Sequence, residues 1–309
     1  MSLRAKPPNQ ERALITRQDP KRPYGAKITF QLLHSATIGE LENVTLLLES
    51  GAIATIQPAR SSSWEGGKRF QAALVGFPTA TTAEYEGVRF AQALLLSAIS
   101  LNFGLRLNYF AQVPAVVFER FRSEGATMGG EAVAGWSQSV VLAELVGAYT
   151  HPVKDRTLIL SMELYCAAFL EPNERARFVT IVSALEPLAK QESLGAGVSD
   201  FVDGAVAALA KAEGIQVGIH DSLRGRLNQL RLESVRQALL RLSNAWFPKR
   251  LDVRQRIERA YALRSELLHE GTLLDPDIDV STETAYISNI LRAIYEQAFG
   301  RAFRVPPVV

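Results

Sequence analysis

The chain has 309 residues, with 34 Lys and Arg against 32 Asp and Glu, a net charge of +2 and 47% hydrophobic residues. At ~100–200 residues per domain this length suggests two domains, and the apolar fraction excludes a chain disordered throughout. The charge balance excludes a grossly basic nucleic-acid coat, and the single cysteine, Cys166, excludes a disulfide scaffold or a cysteine-rich zinc site.

Residues 1–26 carry Arg4, Lys6, Arg12, Arg17, Lys21 and Arg22 against Glu11 and Asp19, with Pro7, Pro8, Pro20 and Pro23. They read as a flexible basic arm: a solvated tail with an electrostatic liking for polyanions. No apolar h-region follows, so a signal peptide is not expected. The longest apolar stretch, Phe90 to Phe103, is interrupted by Gln92, Ser97, Ser100 and Asn102. It falls short of the ~20 residues that a membrane span needs. A soluble protein is expected, and the lone thiol favours a reducing, cytoplasmic setting.

Residues 27–150 predict an α+β domain. Ile28–Leu33, Val44–Leu48 and Phe70–Phe77 are short apolar runs separated by Gly51, Pro58, Ser61, Ser62, Ser63, Gly66 and Gly67; they predict strands. A helix is expected from Thr82 to Asn102, where Val88, Ala91, Leu95, Ala98 and Ile99 follow helical spacing. Leu105–Phe110 and Val113–Phe121 are further strand- or helix-like pieces. The glycine-rich 125–135 stretch reads as a loop, and Val140–Leu145 as a last short element.

After His151-Pro152 the texture becomes helical, so 151–309 predicts an all-α bundle. The expected helices are Asp155–Phe169, Asn173–Gln191, Ser199–Lys211, Ser222–Trp246, Asp252–Leu268 and Thr282–Phe299. Asn173, Ser199 and Asp252 are good N-terminal caps. The fold class is therefore α+β: a mixed N-terminal domain of unknown role followed by a helical bundle.

Several chemistries are missing. Gly66-Gly67-Lys68 lacks the spacing and the hydroxyl of a P-loop. Gly135-Trp136-Ser137-Gln138-Ser139 fails the nucleophile-elbow pattern at its last position. His34, His151, His220 and His269 lie far apart, and none sits at metal-ligand spacing from another or from Cys166. Asp275, Asp277 and Asp279 imitate an EF-hand start, but Val280 and Tyr286 occupy the glycine and glutamate positions, so a solvated acidic turn is expected instead. No metal and no cofactor are implied.

The informative stretch is Tyr261-Ala262-Leu263-Arg264-Ser265-Glu266-Leu267-Leu268-His269-Glu270-Gly271. Ile257, Tyr261, Arg264 and Leu268 share one helical stripe, which puts an arginine on a face expected to be buried. A buried guanidinium needs an anion: a ligand, or simply an acid on a neighbouring helix such as Glu163 or Glu186. His269 follows five residues later, ~140° around and ~7.5 Å along an ideal helix. The two converge only if the helix ends near Leu268 or if two chains contribute. A histidine there also suits the helix dipole without any catalytic role.

Eleven cations run from Arg224 to Arg264, namely Arg224, Arg226, Arg231, Arg236, Arg241, Lys249, Arg250, Arg254, Arg256, Arg259 and Arg264. Only Glu233, Asp252 and Glu258 oppose them locally. Such a surface suits a phosphate backbone, or is a solvated face.

Late in a helical region, Tyr-x-Leu-Arg-Ser-x-Leu-Leu-His-x-Gly resembles the Arg-x4-His signature of the HEPN superfamily, more narrowly the Apea-like HEPN domains. The earlier Val182-Ser183-Ala184-Leu185-Glu186-Pro187-Leu188 matches a pattern such domains carry. The resemblance covers about 155–300. It implies a dimerising helical bundle whose paired motifs form a metal-independent endoribonuclease site, of the kind found in phage defence, abortive infection and toxin-like stress responses. Carried over by position, Arg264 and His269 are the catalytic candidates. Ser265 stands where Asn, Asp or His is common. Ser265, Arg250, Arg256 and Arg259 are the candidate RNA contacts. RNA and a second copy are the implied partners, with residues 27–150 sensing a trigger or restraining the nuclease. Some HEPN domains are inactive dimerisation or nucleotide- or RNA-binding modules, which is the alternative reading.

Overall fold

The computed structural model describes residues 22–33, 44–59, 67–109, 113–119, 138–275 and 277–304. The arm up to residue 21, His34 and the 125–135 stretch lie outside them. The chain divides into two compact units, Met1–Pro172 with Tyr295–Val309, and Asn173–Ile294.

In the first unit, β1 (Tyr24–Leu33), β2 (Val44–Leu47), β3 (Ile53–Pro58), β4 (Gly67–Phe77), β5 (Leu105–Leu107) and β6 (Val116–Glu119) form one antiparallel sheet. Its order is β2-β3-β4-β1-β5, with β6 also pairing β1. Strand β1 is central because its alternate residues Ala26, Ile28, Phe30 and Leu32 are all buried. Phe30 lies opposite Phe70 across the strands, their rings stacked 5.7 Å apart. Strand β3 was not expected from the sequence: Ile53-Ala54-Thr55-Ile56 is too short and mixed to stand out, yet Ala54 and Ile56 are buried.

Helix α1 (Ala80–Leu101) packs on β1 and β4. The Thr79 hydroxyl accepts from the Thr82 amide at 3.1 Å and starts the helix; Asn102, with φ of 56°, ends it. Gly87 permits the close approach to the sheet, since a Cβ there would lie 2.7 Å from that of Ala26 and 2.8 Å from that of Ala115. Where Val140–Leu145 was expected as a short element, helix α2 (Gln138–Tyr149) runs longer. Tyr149 donates to Glu86 from inside this core, and Arg89 Nε donates to the Tyr149 carbonyl at 2.9 Å. Burial, reinforced by Glu86, pushes the Tyr149 phenol well above its ordinary range.

Helix α3 (Arg156–Ala168) belongs to this unit, so the compact boundary falls after Pro172 rather than at His151. Tyr165 donates to the Asn102 side chain at 2.6 Å and tethers α3 to the end of α1. Tyr295 meets Tyr165 edge-on at 5.7 Å and the Ser161 hydroxyl at 2.8 Å, and Arg301 pairs with buried Glu144. Tyr295 and Arg301 are thereby built into the first unit.

The second unit is helical: α4 (Glu174–Ser183), a 3-10 turn (Glu186–Leu188), α5 (Ala196–Ala210), α6 (Val217–Gln229), α7 (Val235–Trp246), α8 (Leu251–His269) and most of α9 (Val280–Phe299). Two expected helices are shorter. The Asn173–Gln191 helix stops at Ser183, because Pro187 removes an amide and crowds the carbonyl four residues back. The Ser222–Trp246 helix is two. Its middle pairs with an extended segment: the Leu194 amide donates to the Arg231 carbonyl and the Glu233 amide to that of Glu192, both at 2.9 Å. Ser234 and Gln237 then open α7 with a reciprocal capping box. A mixed α+β class therefore describes the chain. Among the described residues no helix is long and apolar enough to cross a membrane.

Candidate functional site

Helices α4 and α8 pack together, and the two segments behind the HEPN resemblance lie on α8 and its C-terminal turn and on the end of α4 with the 3-10 turn after it. Asn173 caps α4, its Oδ1 accepting from the Arg175 amide at 2.9 Å and the Ala176 amide at 3.2 Å. At the far end the Ser183 hydroxyl donates to the Val179 carbonyl at 2.8 Å. That orientation leaves its oxygen to accept from Arg264 Nε, at 3.2 Å. Arg264 Nη1 lies 3.0 Å from Glu186 Oε1 on the 3-10 turn. The Tyr261 ring centre is 5.9 Å from the guanidinium carbon, within cation–π range. Arg264 is thus held from α4, from the turn and from its own helix, and it pairs with one of the two acids considered above. Glu163 lies in the other unit.

The buried face of α8 is Val253, Ile257, Ala260, Leu263 and Leu267. The expected stripe through Tyr261, Arg264 and Leu268 is therefore rotated: Leu268 is 53% exposed. The Arg264 side chain, 20% exposed, sits at the edge of the buried face, where it can reach both Ser183 and Glu186.

His269 is the last residue of α8 and is exposed. The helix does not stop before it, so within one chain His269 stays ~140° around the axis from Arg264. The turn beyond is fixed: Gly271 has φ of +72°, Arg175 Nη1 donates to its carbonyl at 3.4 Å, and the Leu274 amide donates to Glu266 Oε2 at 3.3 Å. Ser265 is half-buried beside Arg264. Of the other histidines, Nδ1 of His151 lies 3.0 Å from the Gly147 carbonyl and Nε2 of His220 lies 3.2 Å from that of Leu209. Cys166 is fully buried, and burial pushes its thiol far above its ordinary range.

The three arginines among the candidate RNA contacts are engaged within the fold. Arg250 pairs with Asp252 at 2.7 Å and holds that carboxyl down at about 2. The Arg256 guanidinium lies 3.4 Å over the Tyr286 ring. Arg259 Nε meets Glu283 at 3.1 Å. The same holds along most of the basic stretch. Arg224 pairs with Asp221, Arg231 with Asp203, Arg236 with Glu258, and Arg241 with Glu192 and Glu233. Most of these acids lie outside the 224–264 window, so the local count overstated the positive charge. Arg226, Lys249 and Arg254 are exposed and carry no ion pair among the described residues.

Three residues that the sequence pattern did not single out complete this surface: Ser183, Glu283 and Tyr286. Ser183 lies in the very segment that carries the resemblance, which was the one available signal. Among the described residues no group of three His, Cys, Asp or Glu could hold a metal ion. No family model, no curated protein and no solved structure matches this chain.

Proposed function

We propose that the chain is a metal-independent endoribonuclease of HEPN type that works as a dimer in the cytoplasm, in phage defence or a toxin-like stress response, with the first unit as its regulator. The observation that carries this reading is the division of labour on α8. Arg264 is anchored by Ser183 and Glu186, whereas His269 stands exposed at the helix end. The two diverge around the axis, so a single chain does not aim both at one phosphate, and a second copy supplies the complement.

In this reading one His269 takes the proton from the ribose 2′-hydroxyl as that oxygen attacks phosphorus. The His269 of the second copy, entering as imidazolium, gives its proton to the departing 5′-oxygen. Arg264 grips a non-bridging phosphate oxygen and keeps its charge throughout. The products are a 2′,3′-cyclic phosphate and a 5′-hydroxyl. Ser265, Arg250, Arg256 and Arg259 flank the strand, with Arg226, Lys249 and Arg254 as its unpaired cations.

The test compares purified wild type with His269→Ala on total RNA and tRNA in EDTA, with end mapping. Cleavage by wild type alone, leaving cyclic phosphate ends, is the expected result. Cleavage that survives both His269→Ala and Arg264→Ala overturns the assignment.

The Arg264–Glu186 pair favours a second reading, in which the bundle is catalytically inactive and serves as a dimerisation or nucleotide- or RNA-binding module. A guanidinium already neutralised at 3.0 Å has less to offer a phosphate. RNA retention on a filter without cleavage, unchanged in His269→Ala, distinguishes it.

A further inference from the structure

The first unit contains a cavity of about 440 Å³ between α1, the end of β5 and α3. That volume lies within the ~300–1,000 Å³ typical of small-molecule sites. Along α3, Arg156, Ile159, Leu160 and Glu163 all line it, at i, i+3, i+4 and i+7, so one helix face is turned into the space. Val88 and Leu95 of α1 form the opposite apolar wall.

The two ends of the cavity differ in chemistry. At one end Lys154 and Arg156 are exposed, and neither is ion-paired among the described residues. The intervening Asp155 is occupied in capping α3, its Oδ1 accepting from the Thr157 amide and hydroxyl at 2.9 and 2.7 Å. Gln92, a further polar wall group along with Tyr109, accepts from the Val153 amide at 2.9 Å. Seven residues along the helix, roughly 10 Å from Arg156, lies Glu163. Its Oε1 is buried with no hydrogen-bond partner among the described residues. A buried polar oxygen without a partner is uncommon in a folded protein, and a ligand is one of the things that supplies it. Burial pushes the Glu163 carboxyl up to about 7, so at neutral pH a large share of it is in the uncharged form.

We propose that this cavity binds an elongated amphipathic acid. Its carboxylate sits at Lys154 and Arg156, its apolar body of roughly 10 Å lies along Ile159, Leu160, Val88 and Leu95, and a hydroxyl or amide hydrogen at its far end is donated to Glu163. Cationic ligands are disfavoured by the paired positive charges at the mouth. A plain hydrocarbon leaves the carboxyl oxygen without its partner. This site is independent of RNA chemistry, and its test involves none.

The probes are ω-hydroxydecanoate, decanoate and the neutral decanediol, titrated into the full chain by calorimetry at neutral pH. Wild type takes up one equivalent of ω-hydroxydecanoate and binds it more tightly than decanoate. Lys154→Glu with Arg156→Glu, both at exposed positions that leave the core intact, weakens ω-hydroxydecanoate at least about tenfold while decanediol changes less than about twofold. Glu163→Met, close in volume but without the acceptor, removes the preference for ω-hydroxydecanoate over decanoate. Absence of saturable binding to wild type overturns the proposal. So does an equal loss for the acid and the diol in the charge-reversed variant, or a hydroxyl preference that survives Glu163→Met.

Discussion

Arg264 and Glu186 meet at 3.0 Å, from the last turns of one helix and from a proline-containing turn far earlier in the chain. The proline ends α4, the early end exposes Ser183 and Glu186 side by side, and both then engage one guanidinium. The motif arginine is therefore a structural clamp between α4 and α8, whatever its role toward a phosphate.

That dual character separates stability from activity. Arg264→Ala and Glu186→Ala each lower the melting temperature of the full chain, and their double-mutant cycle returns a coupling of about 0.5–1 kcal/mol, as a partly exposed pair allows. His269→Ala, at an exposed helix end, shifts stability by less than about 0.5 kcal/mol. Thermal denaturation of wild type, the two single variants, their double mutant and His269→Ala checks both statements. On the proposed ribonuclease reading, loss of RNA cleavage in His269→Ala at unchanged stability then reports on chemistry alone.

Gly87 sets the distance between α1 and the sheet. Gly87→Ala drives a methyl to within 2.7 Å of the Ala26 Cβ and 2.8 Å of that of Ala115, closer than side-chain carbons approach. Neither neighbour is a flexible side chain that can swing away. The expected cost is about 1–3 kcal/mol, in spite of alanine's better helix propensity. Urea denaturation measures it, and a neutral or stabilising outcome contradicts the tight helix–sheet contact.

The legible parts of this fold are those whose pattern is local. Strand β1 follows from a short apolar run, and helices α1 and α8 from helical spacing, each within a few residues of its ends. The parts that stayed hidden depend on distant partners. Residues 231–233 look helical alone, and leave the helix because they pair with 192–194. Strand β3 is defined by β2 and β4 on either side. Helix α3 carries the texture of the helical half but packs with α1 and β5. The site shows the same division. Arg264 and His269 stand out by their spacing, whereas Asp203 and Glu283, which neutralise Arg231 and Arg259, and Glu192, which joins Glu233 on Arg241, lie beyond any local window.

Glu163 makes the stability of the first unit fall as pH rises toward neutrality. Its carboxyl is raised from 4.5 to about 7 by burial. The folded state thus holds its proton more tightly than the unfolded chain. The associated stabilisation is full below about pH 4.5, and it is lost as pH rises toward about 7. Glu163→Gln has no charge to bury. It is expected to match wild type at about pH 4.5 and to exceed it by about 1–2 kcal/mol at about pH 8, after allowance for screening of a half-buried group. Melting temperatures of both proteins across this range decide it, and a variant no more stable than wild type at the upper end counts against the burial of that charge.

Acid acts on the second unit through the opposite sign. The Arg241 guanidinium beside Glu233 holds that carboxyl below its ordinary range, helped by the Glu192 amide donating to it at 3.0 Å. Here the unfolded chain binds the proton more tightly, so the stabilisation is present above the ordinary carboxylate range and is lost as pH falls through the depressed value. Glu233 also closes the junction between α6 and α7, where Gln191 donates to its carbonyl and Arg241 Nη2 to the Lys190 carbonyl at 2.7 Å. Glu233→Gln keeps the shape and removes the charge. Its urea midpoint is therefore expected to lie below that of wild type at about pH 7 and to approach it as the pH falls below the ordinary carboxylate range, where the wild-type carboxyl loses its own charge. A gap of constant size across that range means that packing, and not the ion pair with Arg241, holds the junction.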